Sequence, residues 1–180
     1  AVSGGASAPG EGRAQAGTSA LPAPRWRAVY PHPSLLPDAW EGYDAVSAMV
    51  VQGRSLEELS ARQHEALDKW IATGGHLIVS GGPDYTLLRT PRLAAMLPAL
   101  PTGLARLSDG QGVGEALRFP LKVSRPFEIN RLGDLAPGAT RATHVVAGQG
   151  EGGARLSLIA ERRYGRGRVV YLAFDIARYP

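Results

Sequence analysis

Ser80 closes an apolar run, His76-Leu77-Ile78-Val79-Ser80, and is followed at once by Gly81-Gly82-Pro83. That is where a nucleophile elbow presents an exposed hydroxyl at the end of a strand. The elbow asks for small residues on both sides, as G-x-S-x-G, because the turn is strained and crowded. Gly82 meets the second half of the pattern, but Ile78 stands where the first glycine belongs. A plain strand-to-loop turn explains the same residues, so half a motif is weak ground for a hydrolase. His144 is the candidate base for such a serine, and only the fold can bring two such distant residues together.

The other chemistry-bearing residues point away from catalysis. His32, His64, His76 and His144 show neither i,i+4 nor H-x-H spacing, so no metal site is expected. His64 lies among polar residues of a helix and is expected to be exposed; His76 begins a strand and His144 lies inside one. No cysteine is present, which removes disulfides, thiolate metal sites and a thiol nucleophile. The glycine-rich stretches, including Gly110 to Gly114 and Gly148 to Gly153, match neither a dinucleotide fingerprint nor a phosphate loop ending in Gly-Lys-Ser/Thr. No cofactor is implied, and turn formation accounts for these glycines. Asp44, Asp84 and Asp175 stand near strand boundaries without the pairing that acid–base work requires.

The elements that must position these residues read as an α/β unit. Tyr43 to Val51 is an apolar run suited to a buried strand, broken by Gln52-Gly53-Arg54. Ser55 and Ser60 are candidate N-caps, and from Leu59 the positions Ala66, Leu67, Trp70 and Ile71 share one helical face. Trp70 is expected in the core, and Thr73-Gly74-Gly75 ends the helix before the strand His76 to Ser80. Strand, helix and strand in about 40 residues imply parallel neighbours joined by a right-handed crossover. Tyr85 to Leu97 reads as a shorter helix interrupted by Pro91, and Pro98 to Gly114 reads as loop. Glu115 to Val123 is a possible strand, and Ser124 to Gly138 is turn-rich with no clear element. Ala142 to Ala147, Ala154 to Arg163 and Arg168 to Phe174 read as strands, the last two joined by a turn at Tyr164-Gly165-Arg166-Gly167.

Composition bounds the rest. The first 24 residues are nearly all Ala, Gly, Ser and Pro and cannot bury enough surface to offset chain entropy, so they read as a flexible linker. Residues 25–180 then form a single domain, and a start inside a linker suggests a piece of a longer chain. The net charge of +4 is carried by scattered arginines, with only Arg162, Arg163, Arg166 and Arg168 close together. Without a basic stripe, nucleic acid is not an expected partner. No run reaches the roughly 18 apolar residues of a membrane span.

Two blocks together carry a family likeness: Tyr43-Asp44-Ala45-Val46 through Leu59, Gln63, Ala66-Leu67, Trp70 and Gly74-Gly75-His76-Leu77-Ile78-Val79, and the closing Tyr164-Gly165-Arg166-Gly167-Arg168-Val169-Val170-Tyr171-Leu172-Ala173-Phe174-Asp175. The chain resembles divergent class I glutamine amidotransferase-like domains, such as the trehalose-utilisation type and those inside large membrane-anchored bacterial proteins. The resemblance implies a flavodoxin-like three-layer sandwich with a mostly parallel central sheet and a C-terminal β-hairpin. Active relatives use a Cys on the elbow and a His-x-Glu after a late strand. Here the elbow falls at Ser80 or Gly81, and Asp175 and Ala177 take the places of His and Glu. The catalytic triad is absent, and a relay lacking both nucleophile and base has no chemistry to perform.

The resemblance therefore implies a non-catalytic module that binds a ligand or a protein. Its partners would be other domains of the same longer chain or a separate protein, and any membrane attachment and extracytoplasmic location would come from segments outside this sequence. A serine hydrolase built on Ser80 is the alternative. In either case a pocket is expected at the carboxyl ends of the parallel strands, near Gln52, Ser80, Gly81, Gly82 and Asp175.

Overall fold

A computed structural model describes residues 27–107, 126–146 and 155–178, and the fold is that of the unit Pro31–Pro180. The expected linker and the possible strand Glu115 to Val123 lie outside the described residues. The chain forms a mixed α/β fold: strand β1 (Ala48–Gln52), helices α1 (Gly53–Glu57) and α2 (Ala61–Thr73), strand β2 (His76–Ser80), helix α3 (Pro91–Met96), and strands β3 (Ala99–Leu107), β4 (Phe127–Leu135), β5 (Ala139–Val146), β6 (Arg155–Tyr164) and β7 (Gly167–Leu172).

Five strands make the main sheet in the order β1-β2-β7-β6-β5. β1, β2 and β7 are parallel neighbours, while β6 is antiparallel to both β7 and β5. Four strands thus run one way and only β6 is reversed, which makes the sheet mostly parallel. β6 and β7 stay in register from Tyr164↔Gly167 to Ile159↔Leu172, turning at Gly165, whose φ is +62°.

Local chemistry sets the crossover that defines β1 and β2. Ser60 caps α2: its hydroxyl accepts from the Gln63 amide at 3.2 Å, and the Gln63 side chain accepts from the Ser60 amide at 2.9 Å. Gly74, at φ +138°, ends the helix in a conformation that favours glycine. The face expected from periodicity, Ala66, Leu67, Trp70 and Ile71, is the buried one. Trp70 lies in the core with its ring centroid 5.7 Å from that of Tyr43. Tyr43 itself belongs to a short 3-10 turn, Trp40–Tyr43, and donates its hydroxyl to Pro37 O at 3.0 Å. The strand expected from Tyr43 therefore begins only at Ala48. Ser55 falls inside α1 and caps nothing; the stretch expected to break the chain coils into that one short helix.

The stretch expected as loop after Pro98 is instead β3, which pairs antiparallel with β4 in a second, two-stranded sheet. Register shifts on both sides of Pro101 accommodate a residue that cannot donate to the ladder. That irregularity hid the strand from its pattern. Ile129 of β4 and Ala105 and Leu107 of β3 are buried in the same apolar core as Leu77, Val79, Val169 and Tyr171 of the main sheet.

Candidate functional site

β1, β2 and β7 run parallel, so their carboxyl ends meet at one edge of the sheet. A cleft of about 90 Å³ opens there, lined by Gln52 at the end of β1 and Arg54 beyond it, by the run from Ser80 at the end of β2 to Tyr85, and by Asp175 after β7. All five residues singled out from sequence, Gln52, Ser80, Gly81, Gly82 and Asp175, line this one cleft.

Their hydrogen bonds tie the strand ends to one another. The Ser80 hydroxyl donates to Phe174 O at 3.1 Å and accepts from the Ile176 amide at 3.0 Å, with the residue 1% exposed. Gln52 Nε2 donates to Asp175 Oδ1 at 3.0 Å, and the same oxygen accepts from the Ala177 amide at 2.9 Å. The Gly81 amide donates to Leu172 O at 2.8 Å. Arg54 and Asp84 form a 3.5 Å ion pair at the rim, where both side chains are more than half exposed and the pair contributes at most about 1 kcal/mol.

Asn130, on β4, is the residue that sequence reading missed. It is 1% exposed and reaches the turn after β2 from the second sheet. Its Oδ1 accepts from the Gly82 amide at 2.9 Å and from the Tyr171 hydroxyl at 2.8 Å, while Nδ2 donates to Gly82 O at 3.0 Å. Burial pushes the Tyr171 phenol well above its usual range, so it acts as a neutral donor. Gly81 is required by this crowding: a Cβ there would collide with Asn130 Oδ1 and lie 2.8 Å from Leu172 O and 2.9 Å from the Tyr171 hydroxyl. Gly82 holds φ +143°, a backbone that side chains other than glycine rarely adopt. Nothing near Asn130 in sequence foretold its role, because its partners come from β7 and the turn after β2.

Several chemistries can be weighed directly. A nucleophilic serine needs its proton held by a base, and Ser80 gives that proton to a main-chain carbonyl. Register places Ser80 beside Leu172, Leu172 beside Ile159, and Ile159 beside Thr143. His144 follows on β5, separated from β2 by β7 and β6, so its backbone stands about 14 Å from that of Ser80 at ordinary strand spacing. His76 begins the strand that Ser80 ends, about 13 Å along it. His64 is half-buried on α2 rather than exposed as expected; burial first, then the Arg92 charge, lower its pKa. Among the described residues no cluster of His, Asp or Glu is arranged to hold a metal ion, and no helix is long and apolar enough to cross a membrane.

No family model matches the chain, and no curated protein matches it. Solved structures do share the fold. A cytoplasmic protein of Salmonella typhimurium superposes with a TM-score of 0.53 at 11% identity, over 80% of this chain and 66% of that one. A second, from strain LT2 of the same organism, gives 0.51 at 18% identity, over 77% and 64%. This chain thus spans just under two thirds of either protein. Part of an exo-β-1,4-mannosidase from an Opitutaceae bacterium is more distant, with a TM-score of 0.44, 15% identity, and 76% of this chain against 22% of that one. At such identities the likeness concerns the α/β fold alone.

Proposed function

We propose that this chain is a non-catalytic amidotransferase-like module that binds a protein or a small polar ligand within a larger, membrane-attached bacterial protein. Its architecture on this reading is the flavodoxin-like three-layer sandwich of that group, closed by a C-terminal β-hairpin formed by β6 and β7. The observation that carries the proposal is the state of the Ser80 hydroxyl. It stands at the elbow position, yet its proton is given to a main-chain carbonyl and its oxygen accepts a main-chain amide, both from beyond β7. Asp175 and Ala177, at the places of the family's His and Glu, bond to each other rather than to a nucleophile.

Cleft size supports the same reading. Ligand pockets usually measure about 300–1,000 Å³. At about 90 Å³ the cleft falls below that range, which favours a small polar group over a large substrate. An interaction role suits so small a site better than turnover does. The dispersed positive charge argues for protein partners over nucleic acid.

The serine hydrolase reading keeps one observation in its favour, since Ser80 does line the cleft. Activity-based labelling with a fluorophosphonate separates the two. The module reading expects no covalent adduct in either the natural chain or Ser80→Ala. Labelling of the natural chain that disappears in Ser80→Ala overturns it.

A further inference from the structure

The donors at the end of β2 are spent inside the protein. Ser80 gives its hydroxyl to Phe174 O, and the Gly81 and Gly82 amides go to Leu172 O and Asn130 Oδ1. An oxyanion in the strand-end cleft would find none of the three free. Acceptors are in the opposite state. Asp175 Oδ1 takes both the Gln52 amide nitrogen and the Ala177 amide. A carboxylate oxygen only accepts, so Gln52 must turn Nε2 toward it and keep Oε1, itself an acceptor, for another donor. Among the described residues, neither Gln52 Oε1 nor Asp175 Oδ2 is given a hydrogen bond. Asp175 Oδ2 lies 3.6 Å from the place that a Gly82 Cβ would take, and Gly82 lines the cleft. Arg54 is the one cation among the lining residues, and it faces Asp84 at 3.5 Å. Asp175 is left as the unbalanced charge. Tyr85 adds an aromatic ring to the lining, and a ring face attracts cations.

We propose that the cleft takes a small organic cation, a guanidinium or a primary ammonium group, with Asp175 Oδ2 and Gln52 Oε1 as its acceptors. This rests on the reading of the chain as a binding module and names the chemistry of its ligand. Such a group brings several N–H donors and a positive charge to two idle acceptors and one unbalanced carboxylate. The size of the cleft favours a terminal group over a whole metabolite. Two sources carry that chemistry: an arginine or lysine side chain of a partner protein, and a free guanidine or amine. One ion pair with a half-exposed carboxylate gives modest affinity, with dissociation on the order of 1–10 mM.

NMR of the full 180-residue chain tests this through the Gly82 and Ala177 amide shifts, titrated with methylguanidinium and with methylammonium. Both cations should give saturable shifts. Methylurea, neutral and close in shape to methylguanidinium, and acetate should move neither amide at matched ionic strength. Asp175→Asn keeps an oxygen for Gln52 and Ala177 but removes the charge, and should weaken cation binding roughly tenfold or more. Arg54→Gln removes the competing cation at the exposed rim and should tighten binding about two- to threefold. N-acetylarginine methylamide separates the sources: binding as tight as methylguanidinium marks a side chain and weaker binding a free cation, both being forms of the proposed ligand. Equal shifts with methylurea or acetate, no saturable response to either cation, or weaker cation binding in Arg54→Gln overturns the proposal. The comparison of cation with neutral analogue needs no variant, so it stands even if Asp175→Asn fails to fold. Failure to bind a cation leaves the module reading intact, because that reading falls on labelling at Ser80.

Discussion

Replacing Asn130 by alanine removes a side chain that holds the turn after β2 to both β4 and β7. Three hydrogen bonds go: two to the Gly82 main chain, at 2.9 and 3.0 Å, and one from the Tyr171 hydroxyl at 2.8 Å. The Gly82 groups are partly open, so water can replace much of what they lose, at about 0.5–1 kcal/mol each. Tyr171 has no such recourse. It is fully buried, and a hydroxyl left without a partner there costs about 1–3 kcal/mol. The sum is about 3 kcal/mol, or a fall in Tm of about 6–12 °C for a domain of this size.

Tyr171→Phe alone should cost only about 1 kcal/mol, because Asn130 Oδ1 keeps the Gly82 amide as donor. In Asn130→Ala/Tyr171→Phe the orphaned hydroxyl no longer exists. The double variant should therefore be about 1–2 kcal/mol more stable than the sum of the single losses predicts. Urea unfolding of the four proteins gives the cycle directly, and hydrogen exchange at the Gly82 amide reports the turn. Additive single effects, or an Asn130→Ala loss below about 0.5 kcal/mol, would refute the assignment of Asn130 as the buried tie.

Three further outcomes follow from the same geometry. Gly81→Ala forces a methyl against Asn130 Oδ1, Leu172 O and the Tyr171 hydroxyl, so it should destabilise by about 3 kcal/mol in a thermal melt, whereas alanine at Gly103, with nothing near its Cβ, should be nearly silent. Gln63→Ala loses the bond from the Ser60 amide to Gln63 Oε1 and the bonds from Gln63 Nε2 to Pro33 O and Leu36 O, and should cost about 2 kcal/mol, more than half a capping box alone. His64 should titrate below the usual 6.5, because burial and then Arg92 disfavour its charged form more than Asp68 and the Leu56 carbonyl favour it. The unfolded chain then binds the proton more readily, so His64's contribution to stability is present above about pH 6.5 and is lost as pH falls through the depressed folded value. NMR titration gives the midpoint, and His64→Gln should flatten the stability profile across that window.

The elements legible in the sequence were those with local causes. Ser60, Gln63 and Gly74 mark the ends of α2 by hydrogen bonds and backbone angles that involve only their neighbours, and β2 runs from His76 to Ser80 as its apolar run predicts. Pro91, at the first turn of α3, separates two short helical pieces where one interrupted helix was expected. β3 and β4 were not legible: proline and irregular register hide β3, and Glu, Asn, Arg and Asp along β4 mask its alternation. Likewise the exposure of His64 was misjudged, because Arg92 and the core above α2 come from elsewhere in the chain.

The strand-end residues divide along the same line. Sequence alone determined that no thiol exists, that Ser80 stands at the end of a buried strand, and that Gly81, Gly82 and Asp175 belong near it, since parallel strands bring their carboxyl ends together. It could not say whether the Ser80 hydroxyl is free. Tertiary structure decided that, by placing Phe174 O and the Ile176 amide on either side of Ser80 and Asn130 over the adjoining turn. Residue types and spacing fix what a group is able to do. What it does depends on which distant main-chain groups the fold brings within about 3 Å of it, and those contacts span separations that no local pattern encodes.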